Sequence, residues 1–367
     1  MKKLVIDCLI YQKNKAFGYQ EYLFNILKSF YENRSCLKYD EIIIICRKSD
    51  DSNFMQFSNK MRIRGFNINN KVMQLYVQNN LKYLLQLTKN DVVLYTYNYG
   101  PIFSQCKSIL VIHDLLFFKK EYLPNRFMRL QRKFFVPISI KNAMKVIAIS
   151  NSTKNDIQEK YKTNESKIKV VYNHFNFDKF MTFSRENVDV YPYRPYILSV
   201  SSLGKHKNII ILLKAFNELC KKNMNYKLIF VGSLSKMYNE HRQYYENLEK
   251  PIKDKIIFME SISNFMLGIL YQQCSLFVLP TLFEGLGMPI VEALYFNAPT
   301  LVSDIGVCRE VSLNSAMYFD PESAENLLQI IEKYKYNFPR PNVHENIVEI
   351  FSEEKTSLEY INIVNTI

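Results

Sequence analysis

Two glutamates with seven residues between them, and two glycines in that interval, mark the part of this sequence best suited to chemistry. Residues 279–304 read LPTLFEGLGMPIVEALYFNAPTLVSD. A buried strand ends at Pro280, Glu284 shares a loop with Gly285, Leu286 and Gly287, and a helix comes next with Pro289 near its first position, where a missing N–H does no harm. A glycine-containing loop entering a helix presents unpaired N–H groups and a partial positive charge, an anion site suited to a diphosphate. Glu292 falls one turn into that helix. Carboxylates accept hydrogen bonds, so the hydroxyls of a sugar or a ribose are their natural partners. Spacing alone equally permits a surface turn with ordinary helix charges.

A second cluster lies in ILSVSSLGKHKNIIILLKAF, residues 197–216. A strand runs into a basic turn carrying Lys205, His206 and Lys207, and a helix begins with Asn208 as its predicted cap. Lysines in such a place often only solvate the helix end. In the first half, SILVIHDLLFFKKEYLP (108–124) puts His113 at the end of a strand, where it is either a ligand-facing group or a histidine satisfied inside the core. Asp114 reads as the residue that orients its loop or caps the next turn. No metal-ligand spacing exists among the five histidines, and the seven cysteines form no CxxC pair, which reads as reduced thiols in a cytoplasmic protein.

The elements that must hold these residues emerge from hydrophobic periodicity. In the first half strands are predicted near Leu4–Cys8, Ile42–Cys46, Val72–Val77, Asp91–Thr96, Ile109–His113, Val146–Ile149 and Ile168–Tyr172, with helices at Tyr19–Phe30, Arg126–Lys141 and Ser152–Lys160. The second half repeats the pattern, with strands at Tyr196–Ser201, Lys227–Val231, Lys255–Met259, Leu276–Leu279 and Thr300–Ser303. Strands alternating with helices predict an α/β chain of two doubly wound, Rossmann-like domains, with ligands at the carboxyl ends of the strands in the cleft between them. The polar, proline-broken stretch 187–195 is the predicted linker. The domains are thus expected at 1–190 and 191–345, with a C-terminal helical segment at 346–367 packing back on the first.

The chain has 367 residues and a net charge of +13, unevenly shared. Residues 1–185 carry 31 Lys and Arg against 14 Asp and Glu, whereas residues 186–367 carry 17 against 21. The first half is built to meet something anionic. Its densest stretch, KKEYLPNRFMRLQRKFF (119–135), interleaves six basic residues with aromatic ones. We read it as a segment for an anionic membrane surface, where each Lys or Arg gains about 1 kcal/mol, rather than for nucleic acid. Short apolar runs exclude a membrane-crossing helix, and the opening MKKLVIDCLIYQ reads as a first strand, not a leader.

The segment 279–304 resembles the signature of family 4 glycosyltransferases, retaining enzymes of GT-B fold whose motif is two glutamates with seven residues between them. EGLGMP stands here for the commoner EGFGLP. The resemblance implies that Glu284 contacts the transferred sugar, that the amides of Gly285, Leu286 and Gly287 approach the sugar and diphosphate, and that Glu292 holds the ribose. It gives Lys207, with Asn208, the donor diphosphate. The family's frequent Arg is replaced by Ser202, and Lys205 is the candidate substitute. His113 matches the family's HD element near the donor sugar. Residues 16–30 resemble the glycine loop and helix over the diphosphate, with Gly18 kept and Ala16 in the other glycine's place. Ser150 and Asn173 match further segments of the first domain.

The implied activity is transfer of a hexose-type sugar from a UDP- or GDP-linked donor to a glycan or lipid-linked acceptor in surface polysaccharide assembly. No cofactor or metal is expected, because protein cations neutralise the diphosphate. The expected location is the inner face of the cell membrane, as a peripheral protein. The competing readings are a GT-B nucleotide-sugar epimerase, whose motifs differ, and a non-catalytic sugar-binding relative. A dinucleotide-dependent dehydrogenase fails because no GxGxxG comes after the first strand.

Overall fold

In the computed structural model, residues 1–13, 17–103, 106–123, 125–180 and 193–367 are described. The chain divides into two compact units, Met1–His174 with Phe351–Ile367, and Phe175–Ile350. Each is built on its own parallel sheet.

The strands of the first unit are β1 (Lys3–Asp7), β2 (Glu41–Arg47), β3 (Arg62–Phe66), β4 (Val92–Tyr95), β5 (Lys107–Ile112), β6 (Lys145–Ala148) and β7 (Ile168–Val170), in the spatial order 3-2-1-4-5-6-7. Those of the second are β8 (Tyr196–Val200), β9 (Lys227–Val231), β10 (Ile256–Met259), β11 (Leu276–Leu279), β12 (Thr300–Ser303) and β13 (Met317–Phe319), in the order 10-9-8-11-12-13. All the pairings are parallel. The inner strands are buried on both faces, which is why Ile42–Cys46 and Leu276–Leu279 read as unbroken apolar runs.

The helices among the described residues are α1 (Phe17–Glu32), α2 (Lys71–Leu84), α3 (Arg126–Asn142) and α4 (Asn151–Tyr161), then α5 (Ile209–Lys221), α6 (Asn239–Glu246), α7 (Lys250–Lys253), α8 (Asn264–Gln273), α9 (Met288–Tyr295), α10 (Gly306–Val311), α11 (Ala324–Tyr334), α12 (His344–Ile350) and α13 (Glu353–Asn365). In α5, Ile209, Leu212, Leu213, Phe216 and Leu219 face the second core as their spacing predicts. Fully burying a side chain such as Phe216 is worth about 1.5–3 kcal/mol. Helix α12 belongs to the second unit and α13 to the first. There Tyr22 and Tyr360 share a hydroxyl hydrogen bond of 2.9 Å, and Lys28 meets Glu353 at 3.0 Å.

Two sequence expectations need correction. Residues 72–77 are not a strand but part of α2, started by Asn70, whose side chain accepts the Met73 N–H at 2.9 Å. The strand lies earlier, at β3, and its charged text hid it: Arg62 is exposed and pairs with Glu41 at 3.2 Å, as suits the edge of a sheet. The division between units falls at His174/Phe175 rather than near residue 190, because Phe175, Phe177 and Phe180 pack on Tyr295 of α9. Most of the predicted linker (187–192) and Ala16 lie outside the described residues.

Candidate functional site

In both sheets the strand order reverses at one place, between β1 and β4 and between β8 and β11. Loops leaving neighbouring strands there diverge and open a crevice at the carboxyl ends, the usual seat of a ligand in this architecture. In the second unit the two loops concerned are the basic turn after β8 and the glutamate loop after β11.

The carbonyl of His206 ties them together: it accepts the Leu282 N–H at 2.8 Å and the Thr281 hydroxyl at 3.1 Å. Across this joint the Lys207 ammonium meets Glu284 Oε1 at 2.5 Å. The two side chains keep only 13% and 10% of their exposure, so the contact is little screened. Gly287 caps α9 at φ 86° and ψ 50°, a left-handed conformation open to glycine at little cost. Residue 288 then enters α9 with no side-chain cap and with Pro289 in the first turn. Leu286 is buried beneath the loop. The result is a carboxylate, an ammonium and a helix N-terminus gathered at one strand edge, able to hold an anionic group next to a hydroxyl-bearing one.

Glu292 lies deeper, on the inner face of α9. Its Oε2 accepts the Tyr271 hydroxyl of α8 at 2.8 Å, and its Oε1 meets the Lys179 ammonium at 3.2 Å. That ammonium also lies 4.3 Å above the Phe175 ring. Burial and the neighbouring carboxylate hold the Tyr271 phenol well above its ordinary pKa, so it stays a donor. Neither Lys179 nor Tyr271 was singled out in the sequence. Tyr271 carried a usable signal, a phenol on the buried face of a helix beside the motif; Lys179, 113 residues from Glu292, carried none.

Asn208 stands at the start of α5 but does not cap it. It is left-handed at φ 51°, and its amide donates to the Pro321 carbonyl at 2.7 Å instead. Lys205 lies in the same turn with its ammonium 5.1 Å above the Tyr238 ring.

In the first unit, His113 is buried at the end of β5. Its Nε2 lies 2.9 Å from the Thr96 carbonyl and so carries the proton, leaving Nδ1 as an acceptor. Burial lowers its pKa, against the opposing pull of the Thr96 carbonyl and Asp114. The rings of Tyr22, Tyr97 and Tyr19 surround it at 4.5, 5.6 and 5.7 Å. Asp114 accepts the Leu116 N–H at 3.0 Å and thereby shapes its own loop. Ser150 caps α4 through the Thr153 N–H. Gly18 lies inside the first turn of α1 rather than in a loop, and a side chain added there would meet nothing within 4 Å. The Oδ1 of Asn173 is buried without a hydrogen-bond partner. No cluster of three or more metal-binding side chains occurs among the described residues.

Known proteins share this fold. Residues 181–345 match the family model of glycosyl transferases group 1, and residues 23–179 that of glycosyltransferase family 4. The O-antigen chain mannosyltransferase RfbU of Salmonella typhimurium is 30% identical over 248 residues, 67% of this chain and 65% of its own. The chain thus spans less than two thirds of the length of the curated relatives it first matches. Among solved structures, a glycosyltransferase from Rickettsia africae aligns with all of this chain and 98% of its own at a TM-score of 0.70 and 17% identity. HepE of Anabaena, in complex with UDP-glucose, aligns over the whole of both chains at 0.71 and 15% identity.

Proposed function

The chain belongs to the family 4, group 1 glycosyltransferases and has their GT-B fold, and from that premise we propose that it moves a hexose-type sugar from a nucleotide-diphosphate sugar to a saccharide acceptor, with retention at the transferred carbon, in surface polysaccharide biosynthesis. The observation that carries this reading is the Lys207–Glu284 contact at the switch point of the second sheet. It sets a cation for a leaving diphosphate beside a carboxylate for sugar hydroxyls. The names of two relatives agree with it: RfbU is a mannosyltransferase, and HepE was solved with UDP-glucose.

On this reading the bond between the sugar carbon and the diphosphate oxygen breaks, and its electron pair leaves with the diphosphate. Lys207 and the amides of Gly285, Leu286 and Gly287 at the start of α9 stabilise the growing negative charge, and Lys205 adds to the field. Glu284 orients the sugar through its hydroxyls. Glu292 takes the ribose, its position set by Tyr271 and Lys179. The acceptor hydroxyl attacks from the face that the diphosphate leaves, and its proton passes to that phosphate. From the first unit, the family resemblance adds His113, a neutral imidazole with Nδ1 as acceptor, and the Gly18 backbone as candidate ligand contacts. Catalysis is then positioning and charge stabilisation, with no resident cofactor or metal called upon.

We further propose that the first unit docks on an anionic membrane surface, on the cytoplasmic side, where a lipid-linked acceptor would lie. Phe127, Leu130 and Phe134 stand exposed along one face of α3, flanked by exposed Arg126 and Lys133. The start of α2 joins α3 through the Lys71–Gln131 hydrogen bond and adds exposed Val72, Met73 and Tyr76. Apolar side chains ringed by cations suit an interface of acyl chains under anionic headgroups. No helix of the described residues is long and apolar enough to cross a membrane.

The test is nucleotide release from a panel of UDP-, GDP-, ADP- and CMP-sugars, with binding tracked by thermal shift. One donor that binds and slowly hydrolyses fixes base and sugar together. If none binds, the site does not work as read and a non-catalytic role takes its place.

A further inference from the structure

The switch point of the first sheet also holds a built polar site. The buried face of α2 consists of Gln74, Val77, Gln78 and Leu81, so two glutamines occupy positions where helical spacing calls for apolar side chains. They line a cavity of about 10 Å³ with Asp7 at the end of β1, Ile10 just beyond it, and Tyr97 and Tyr99 after β4. That volume admits one water-sized group. Asp7 is buried, accepting the Leu9 N–H at 2.9 Å and the Gln78 amide N–H at 2.5 Å. Gln78, 4% exposed, gives one amide N–H to Asp7, and its Oε1 is left buried with no partner. An amide oxygen stranded in this way is costly unless something supplies it with a hydrogen. Ile10 and Tyr97 of its lining are only partly covered.

The Gln78 oxygen and the Asp7 carboxylate are both acceptors, so the complementary group must donate. A phosphate or carboxylate has no such hydrogen at neutral pH and would face the buried Asp7 charge. We propose that this pocket receives one uncharged hydroxyl of the acceptor saccharide, with Gln78 as the residue that reads it and Asp7 as the group that fixes the Gln78 amide. The inference rests on the transferase reading above and adds the chemical class of the acceptor group: a neutral sugar hydroxyl, not an acidic sugar or a phosphorylated position.

The experiment uses the full chain and saturation-transfer NMR with methyl α-mannopyranoside, methyl α-glucopyranoside and glucuronic acid as probes. The neutral glycosides should bind and the acid should not. Gln78→Met should weaken glycoside binding roughly tenfold, the loss of one buried hydrogen bond. Gln74→Met should weaken it in the same direction. A crystal soaked with the favoured glycoside reads the pocket without any variant, and a hydroxyl within about 3 Å of Gln78 Oε1 is the expected result. Equal affinity in Gln78→Met and the unaltered protein, tighter binding of the acid, or a lone ordered water in the soaked pocket would overturn the proposal. Failure of the transferase reading shows separately, as no hydrolysis of any nucleotide sugar.

Discussion

Lys207 and Glu284, 77 residues apart in sequence, meet at 2.5 Å with both side chains largely buried. Each charge is therefore the other's principal compensation in the described structure. Removing either one does more than delete a catalytic group, because it strands the other in a poorly solvated place. Glu284→Ala or Lys207→Ala is expected to cut transfer by about 10²–10³-fold, the scale of losing one charge-stabilising group, and to lower stability by about 1–3 kcal/mol. The double variant Lys207→Met/Glu284→Gln should recover most of that stability and none of the activity. Denaturant melts and turnover on all the variants decide it; near-normal turnover in either single variant removes that residue's role.

Tyr271 donates to Glu292 Oε2 from the neighbouring helix. Tyr271→Phe keeps the ring packing and removes only that bond. The donor KM should rise roughly fivefold, the worth of one such hydrogen bond, with kcat little changed because Glu292 binds ribose alike in ground and transition states. A fall in kcat at constant KM would place Glu292 in the chemical step instead.

Burial raises the Asp7 pKa from 3.8 to about 6, against the pull of its bonds from Leu9 and Gln78. The folded protein therefore binds a proton that the unfolded chain has released. Stability from this group is complete below the unfolded value and is lost as pH rises through 6, a cost of about 2–3 kcal/mol at pH 7. In Asp7→Asn this pH dependence should vanish, since an amide does not ionise, and Gln78 can turn its own amide to accept from the new side chain. Urea melts between pH 4 and 8 test it. An unchanged slope between 4 and 6 would mean that Asp7 titrates normally.

Phe127, Leu130 and Phe134 are expected to enter the lipid interface together. Flotation with vesicles containing phosphatidylserine should drop when all three become Ser, and should weaken with salt in the unaltered protein. For the charges, Arg126 and Lys133 are the residues to change. Arg132 is a poor choice, because its guanidinium donates to the Tyr97 hydroxyl at 3.2 Å. Flotation indifferent to all of these changes would refute membrane docking through α3.

The sequence by itself determined the alternating strand–helix order, the apolar faces of helices such as α5, and the paired glutamates with their glycine loop. These are local: periodicity over ten to fifteen residues reports which side of an element is buried, and a motif keeps its residues within two turns of chain. It misplaced what local text cannot resolve. Residues 72–77 mix β-branched and aromatic residues, yet they form a helix because Asn70 starts one and its buried stripe packs on the first sheet. β3 is a strand only because β2 pairs with it. Tertiary structure alone decided which charges meet: Lys207 with Glu284, and Lys179 with Glu292 across 113 residues. It also turned Gln78, which looks like an ordinary polar helix residue, toward a buried carboxylate. Side-chain periodicity tells that a face is covered; only the fold supplies the groups that cover it, and the chemistry of a site lies in those pairings.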